Sequence, residues 1–339
     1  GGAPRGRASD RGIRPVKTLD PTGPPERISP NCVRLPLPDP FVPGVTSVFV
    51  LESPGSGSPW LLDAGADMPE STAALEEGLA SLGLRTGELK GVVLSHTHLD
   101  HSGGLLRWMP SRLLAHEHAI ADMRNLMPVS SRGRAALHRM GVPPAVAEEL
   151  APEAEPVGGA PLAETPVSDP VGGEEGPVPE CEGWRWLLAE GHAPGHLMLF
   201  HEDDRLLLTA DQFLLKWKSP LRISDPEEDS FGLYLSSLQR AIDLAPETIC
   251  SSHTIAVRPG LPFLEERQAS LVRQLGRTSK AVENGARTAW EVVAAGERRP
   301  TGGLLILFLR ERFAMLRHLA STGAVVREVT QGVERFEPV

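Results

Sequence analysis

Nine residues, HTHLDHSGG from His96 to Gly104, follow directly on the apolar run GVVLS at 91–95. That run reads as a short buried strand, so three histidines and one aspartate crowd within six positions at a strand end. Imidazoles and carboxylates packed so closely are metal ligands before they are anything else. Further ligands then have to arrive from other parts of the chain. GHAPGH places His192 and His196 between two strands, TAD places Asp211 at the end of the next, and SSH places His253 at the end of the last. One sheet edge can collect all of these. A His₃ set suits one zinc ion, and a bridging carboxylate with more histidine completes a second.

The runs around these motifs alternate. VTSVFVLE, the turn-rich SPGSGSP and WLLDAG predict a hairpin ending at Asp63. Residues 69–82 have helical spacing, RLLAH at 112–116 is a strand, and WRWLLAE precedes a hairpin, LMLFHEDDRLLLTAD, that turns at Asp203 and Asp204. FGLYLSSLQRAIDL at 231–244 predicts an amphipathic helix and TICSSH a final strand. Strands that both alternate with helices and form hairpins imply an α/β fold with mixed sheets under helical cover. Residues 1–27 predict a loose tail and 28–262 the main domain. Residues 125–180, with a helix over 132–150 and then a Pro/Gly/Glu-rich run, predict a lid-like insertion. After Leu261, three helices and a hairpin turning at Gly332 predict a winged-helix-like domain over 263–339.

The formal charge of −10 gives no general attraction to nucleic acid or to an anionic membrane. No apolar run reaches the roughly 20 residues of a membrane span. The three cysteines, Cys32, Cys181 and Cys250, are odd in number and far apart, which fits a reducing cytoplasm. From Phe263 to Val339 there are 12 Lys+Arg against 9 Asp+Glu, a net of +3 and no basic stripe. Arg310 and Arg312 read as a solvated helix face, whereas Leu309, Phe313, Leu316 and Leu319 read as a packed stripe. His138, His201 and His318 are expected to face solvent, and Trp184 and Trp186 to pack.

The set LLDAG, HTHLDH, APGH, TAD and SSH, in that order over residues 45–255, resembles the metallo-β-lactamase superfamily. The resemblance implies an αββα sandwich with metals at one edge. It implies one site from His96, His98 and His196, and another from Asp100, His101 and His253, with Asp211 bridging and Asp63 orienting a ligand or loop. His196 is favoured over His192 because it holds the Pro-Gly-His position; His192 is then a neighbour of the ligands. The resemblance implies two divalent ions, Zn first and Mn or Fe as alternatives, and a bridging hydroxide that attacks an ester, thioester, lactone or phosphoester. Asp100 and Asp211 are the candidate catalytic carboxylates, and Asp100 could pass a proton to the leaving group. Ser95 and Ser252 lack a His–Asp partnership of their own, so their loss is expected not to matter.

Among branches, true zinc β-lactamases often place a cysteine where Asp211 stands. Typical lactonases carry a tyrosine three residues after the bridging aspartate, where this chain has Leu214. Glyoxalase II-like thioesterases would need a basic cluster for glutathione. DQFLLKWKSP and the C-terminal helices resemble the LACTB-two-like group, which includes a single-strand ribonuclease. A mononuclear-iron enzyme like persulfide dioxygenases, using His96, His98 and His196, is the alternative of a different class. The expected partner is a small molecule, in a mostly apolar pocket walled by the insertion and the C-terminal helices. Nucleic acid is disfavoured, no membrane is expected, and a homodimer is open.

Overall fold

The computed structural model describes residues 23–40, 44–55, 57–124, 132–154, 162, 164–214, 218–254, 256–296 and 300–339. The first sheet is built from β1 (Glu26–Ser29), β2 (Cys32–Pro38), β3 (Val45–Leu51), β4 (Trp60–Leu62), β5 (Gly91–Val93), β6 (Leu113–His116) and β7 (Asp169–Val171), side by side in that order. Its first four strands form antiparallel neighbours; β4 to β7 run parallel. Parallel neighbours need crossovers, supplied by α1 (Pro69–Ser81), α2 (Leu99–Ser102) and α3 (Glu117–Arg124). The second sheet has the order β12-β11-β10-β9-β8, from β8 (Glu175–Pro177), β9 (Trp184–Leu188), β10 (Leu197–His201), β11 (Leu206–Ala210) and β12 (Thr248–Ser251). Only β11 and β12 are parallel there.

Successive side chains on a strand face opposite ways, and both faces of each sheet are apolar. Phe49, Leu51, Trp60 and Leu62 meet Trp186, Leu197, Leu199, Leu206 and Leu208 between the sheets. The alternate residues Val48, Val50 and Leu61 meet Leu75 and Leu79 of α1 outside. Leu187, Met198, Phe200 and Leu207 meet Phe231, Tyr234 and Leu238 of α6 (Ser230–Asp243). The result is the four-layer αββα sandwich.

Two further helices, α4 (Arg132–Arg139) and α5 (Pro144–Ala154), fall where one helix was expected. Gly141, at φ 77°, and the pair Pro143-Pro144 break the run. Residues 125–131, 155–161 and 163 of the insertion lie outside the described residues, as do residues 1–22 of the expected tail; Glu26 and Arg27 already belong to β1. The chain ends with α7 (Gly260–Glu283), α8 (Ala289–Ala294), α9 (Gly302–Ser321) and the hairpin of β13 (Val325–Thr330) and β14 (Val333–Pro338).

Leu137, Met140, Val142, Ala147 and Leu150 of the insertion share one core with Val282, Val293, Leu309, Phe313, Leu316 and Phe336. The insertion and the C-terminal elements therefore pack as a unit. Its ionic knot is Glu334, which faces Arg139, Arg317 and Arg327. Phe313 packs as its place in the apolar stripe led one to expect, and both it and Met315 are fully buried in core. Leu264 and Leu271 of α7 lie on the outer face of the second sheet beside Phe231 and Ile249, so α7 belongs as much to the sandwich as to the C-terminal unit. His201 is buried, contrary to expectation, because its Nδ1 accepts the Asp204 amide of the β10–β11 turn.

Candidate metal centre

Every candidate ligand sits beyond the C-terminal end of a strand or in the loop joining two strands, on one edge of the sandwich. His96 and His98 follow β5; Asp100 and His101 occupy the single turn α2. The backbone just beyond that turn presses on the loop after β4: a Cβ on Gly104 would run into the Ala64 carbonyl oxygen, so only glycine permits the approach. His192 and His196 lie between β9 and β10 on a loop held by Glu190, whose carboxylate accepts the Gly195 amide and faces His118 Nδ1 at 2.8 Å. Asp211 follows Ala210, which has φ 41° beside a register shift between β11 and β12. A left-handed alanine at a bulge is strained backbone, and here it re-aims the carboxylate that follows.

Two groups of ligand atoms result. In one, His96 Nε2 stands 2.9 Å from His98 Nδ1, and His192 Nε2 stands 3.2 and 3.1 Å from those two atoms. Asp211 Oδ2 completes it at 4.0 Å from His192 Nε2. In the other, His253 Nε2 is 3.2 Å from both Asp100 Oδ2 and Asp211 Oδ2, and His101 Nε2 is 3.3 Å from Asp100 Oδ2 and 3.5 Å from Asp211 Oδ1. Asp211 is common to both groups.

The opposite ring nitrogens fix which tautomer each histidine holds. His192 Nδ1 donates to the Pro220 carbonyl at 2.9 Å and His253 Nδ1 to that of Val45 at 2.7 Å. A carbonyl only accepts, so both Nδ1 atoms carry hydrogen. His101 Nδ1 meets Asp63 Oδ2 at 2.8 Å. Asp63 also takes the Ser95 amide on Oδ1 at 2.7 Å and the Ser95 hydroxyl on Oδ2 at 2.8 Å, and that hydroxyl oxygen lies 2.9 Å from His96 Nδ1. With the Ser95 hydroxyl donating to Asp63, His96 Nδ1–H donates to Ser95. In the neutral rings, the Nε2 atoms facing inward then present lone pairs to one another, an arrangement made for a cation.

The electrostatics agree. Burial and the surrounding imidazoles hold His96 well below the ordinary histidine range, and burial does the same to His192, so both are neutral. Burial also opposes charge on His101 and His253. The carboxylates of Asp100 and Asp211 outweigh it and raise both well above that range, while these histidines hold Asp100 and Asp211 low despite their own burial. His101 Nε2 and Asp211 Oδ1 are buried with no hydrogen-bond partner. Orphaned buried polar atoms cost free energy unless something coordinates them. The residues present fit divalent ions.

Residues 41–253 match the Metallo-beta-lactamase superfamily. The chain belongs to this superfamily. It is similar to the probable metallo-hydrolase YqjP of Bacillus subtilis (strain 168), at 26% identity over 249 residues, 70% of this chain and 76% of that one. It is also similar to the probable metallo-hydrolase YflN of the same organism, at 26% over 180 residues, 49% of this chain and 60% of that one. Among solved structures, the metallo-beta-lactamase family protein TTHA1429 from Thermus thermophilus superposes with a TM-score of 0.71 at 24% identity, covering 92% of this chain and 100% of that one. A beta-lactamase domain protein from Burkholderia ambifaria superposes at 0.74 with 22% identity, covering 94% and 96%. This metallo-beta-lactamase superfamily chain is thus a metallo-hydrolase with a His/Asp metal-binding cluster. Among the described residues, no helix is long and apolar enough to cross a membrane.

The family's scaffold brings His96, His98, Asp100, His101, Asp211 and His253 together as the sequence leads one to expect, with Asp63 behind them. The difference is the histidine pair. His192, rather than His196, enters the first group. His196 lies alongside, its ring centroid 4.9 Å from that of His96, fully buried, with neither nitrogen hydrogen-bonded. Burial pushes it down to about 3, so it is neutral. Ser95, expected from sequence to be dispensable, here links His96 to Asp63. Arg310 does not face open solvent either: its partly buried guanidinium donates from Nε and Nη2 to the Leu221 carbonyl at 3.1 and 2.9 Å. The signal for Ser95 was its place between the strand and the first ligand. Nothing local marked Arg310, which is 89 residues from its partner.

Proposed function

We propose that the protein is a hydrolase that works with two divalent ions, Zn first among them, on an ester, thioester, lactone or phosphoester. The observation that carries the reading is the sharing of Asp211 between two ligand groups, one of three imidazoles and one of two imidazoles and a carboxylate. Ions so held supply a water nucleophile at neutral pH and polarise the substrate oxygen.

The chain's own residues do the rest. His96, His98 and His192 would hold one ion and Asp100, His101 and His253 the other, with Asp211 shared between the two groups. Asp63 keeps the hydrogen of His101 on Nδ1 and, through Ser95, that of His96 likewise, so neither ring can turn its N–H toward the metals. Asp100 Oδ2 faces His101 and His253, and its Oδ1 has no partner among the described residues. That oxygen can accept a proton and return it to the leaving group.

The reading is tested with purified protein against 4-nitrophenyl esters, thioesters, lactones and phosphoesters. Chelation should abolish hydrolysis, and Zn²⁺, Mn²⁺ or Co²⁺ should restore it. Full hydrolytic activity in metal-free protein would contradict the proposal.

A further inference from the structure

The C-terminal helix α9 brings a cation into electrostatic range of the candidate metal centre. Leu221 O holds Arg310 and the preceding carbonyl, Pro220 O, holds His192 Nδ1–H. The guanidinium and a ring of the ligand group therefore hang on consecutive carbonyls of one segment. That segment is pinned at Arg222, whose amide donates to Gly191 O at 2.9 Å, immediately before His192. His98 lies within range as well: burial lowers it most, and the Arg310 charge is among the influences that lower it further.

Arg310 differs from its neighbours on the same helix. Arg312 pairs with Glu311 at 2.9 Å and Arg317 with Glu334 at 2.6 Å. Arg310 has no carboxylate partner among the described residues, and burial alone draws its guanidinium down to about 10. Even a partly buried charge is costly to keep without a counter-ion. The single carbonyl occupies only the Nε/Nη2 edge. Among the described residues no hydrogen bond takes up the Nη1/Nη2 end, which leaves a fork of the geometry that receives a carboxylate or phosphate through two parallel hydrogen bonds.

We propose that Arg310 is a specificity-determining residue that binds an oxyanionic group, carboxylate or phosphate, on the substrate near the bond to be cleaved. The inference rests on the hydrolase reading and narrows it: the pocket selects acidic substrates, not neutral ones. It departs from the mostly apolar pocket that composition led one to expect. It also gives the C-terminal unit a direct part in the site, because α9 is what carries the guanidinium there.

The test compares the 4-nitrophenyl esters of pentanoate and of glutarate, equal in carbon number and different only at the terminal group, methyl or carboxylate. Metal-loaded wild type should favour the glutarate ester in kcat/KM. Arg310→Gln should reduce that preference about 10–100-fold, chiefly through KM, as expected for loss of a charge-assisted pair. Arg310→Lys, which keeps the charge but not the fork, should lie between, and it serves if the glutamine variant misfolds. Arg85→Gln, on the exposed surface, is the control. Binding of glutarate and of inorganic phosphate to the metal-loaded proteins, followed calorimetrically, gives a readout independent of turnover and tells the two oxyanions apart. If no ester is hydrolysed but Arg310→Gln still weakens glutarate or phosphate binding about tenfold or more, the hydrolase reading fails and the anion site stands. Equal ester preference and equal anion affinity in wild type and both variants would overturn the inference, as would a wild type that neither prefers the glutarate ester nor binds either anion.

Discussion

Asp63 holds an unusual backbone, φ 65°, and spends both carboxylate oxygens on the support of ligands: Ser95 on one, Ser95 and His101 on the other. Aspartate is among the few residues that tolerate the left-handed region, so the strain is modest and the aim precise. Asp63→Asn should weaken metal binding about 10–100-fold while leaving the fold intact, measured by competition against a chromophoric chelator. Ser95→Ala should weaken it in the same direction, against the expectation from sequence that this serine is dispensable; unchanged affinity in both variants would contradict the supporting role. Protons provide a second check. His101 and His253 are raised, so in metal-free protein they stay protonated above the unfolded value of about 6.5. Their pairing with carboxylates stabilises the metal-free fold fully below that value, and the gain is lost as pH rises through the higher folded value. Metal must displace those protons, whereas His96 and His192 are neutral already. Metal binding at pH 7 should therefore release about two protons per chain and tighten as pH rises, read by calorimetry in buffers of different ionisation heat. Release of none would contradict the assignment. At this scale most of the residues that the structure gathers at the candidate centre were legible, because each motif is local. The choice between His192 and His196 was not: both stand in one loop, and it is Pro220, 28 residues beyond His192, that fixes its tautomer.

The strands beside the candidate ligands were equally legible, because β5, β10 and β11 are largely apolar runs flanked by polar loops. What periodicity cannot give is the partner of an apolar face. The stripe Leu309, Phe313, Leu316 and Leu319 on α9 was plain, but its partners include Leu137, Val142 and Leu150, more than 150 residues earlier. These contacts make α4 and α5 part of the C-terminal core. Phe313 sits at their centre, fully buried, with the Arg317 guanidinium 4.4 Å from its ring centroid. Phe313→Ala should cost about 3–5 kcal/mol in denaturant unfolding, the usual toll of an emptied aromatic site. Amides of α4 and α5 should exchange at rates close to those of α9, since one core protects all three. A variant of unchanged stability, or fast exchange confined to α4 and α5, would mean that the insertion moves independently.

Across the whole molecule the parts divide the work. The sandwich sets the metal ligands, and the C-terminal unit reaches across to Leu221 with Arg310 and to Asp225 with Arg317, bracing the segment that anchors His192. A net charge of −10 surrounds a centre that gathers cations, so substrate acidity has to be met locally by Arg310, not by the general field. The central claim is that Asp211 joins two ion sites in one chain. Metal analysis of chelated, reconstituted and gel-filtered protein tests it most directly. Two equivalents of divalent ion per chain are predicted for the wild type, and His192→Ala should lose one. One equivalent in the wild type, with iron preferred, would contradict the account and favour a mononuclear oxygenase instead.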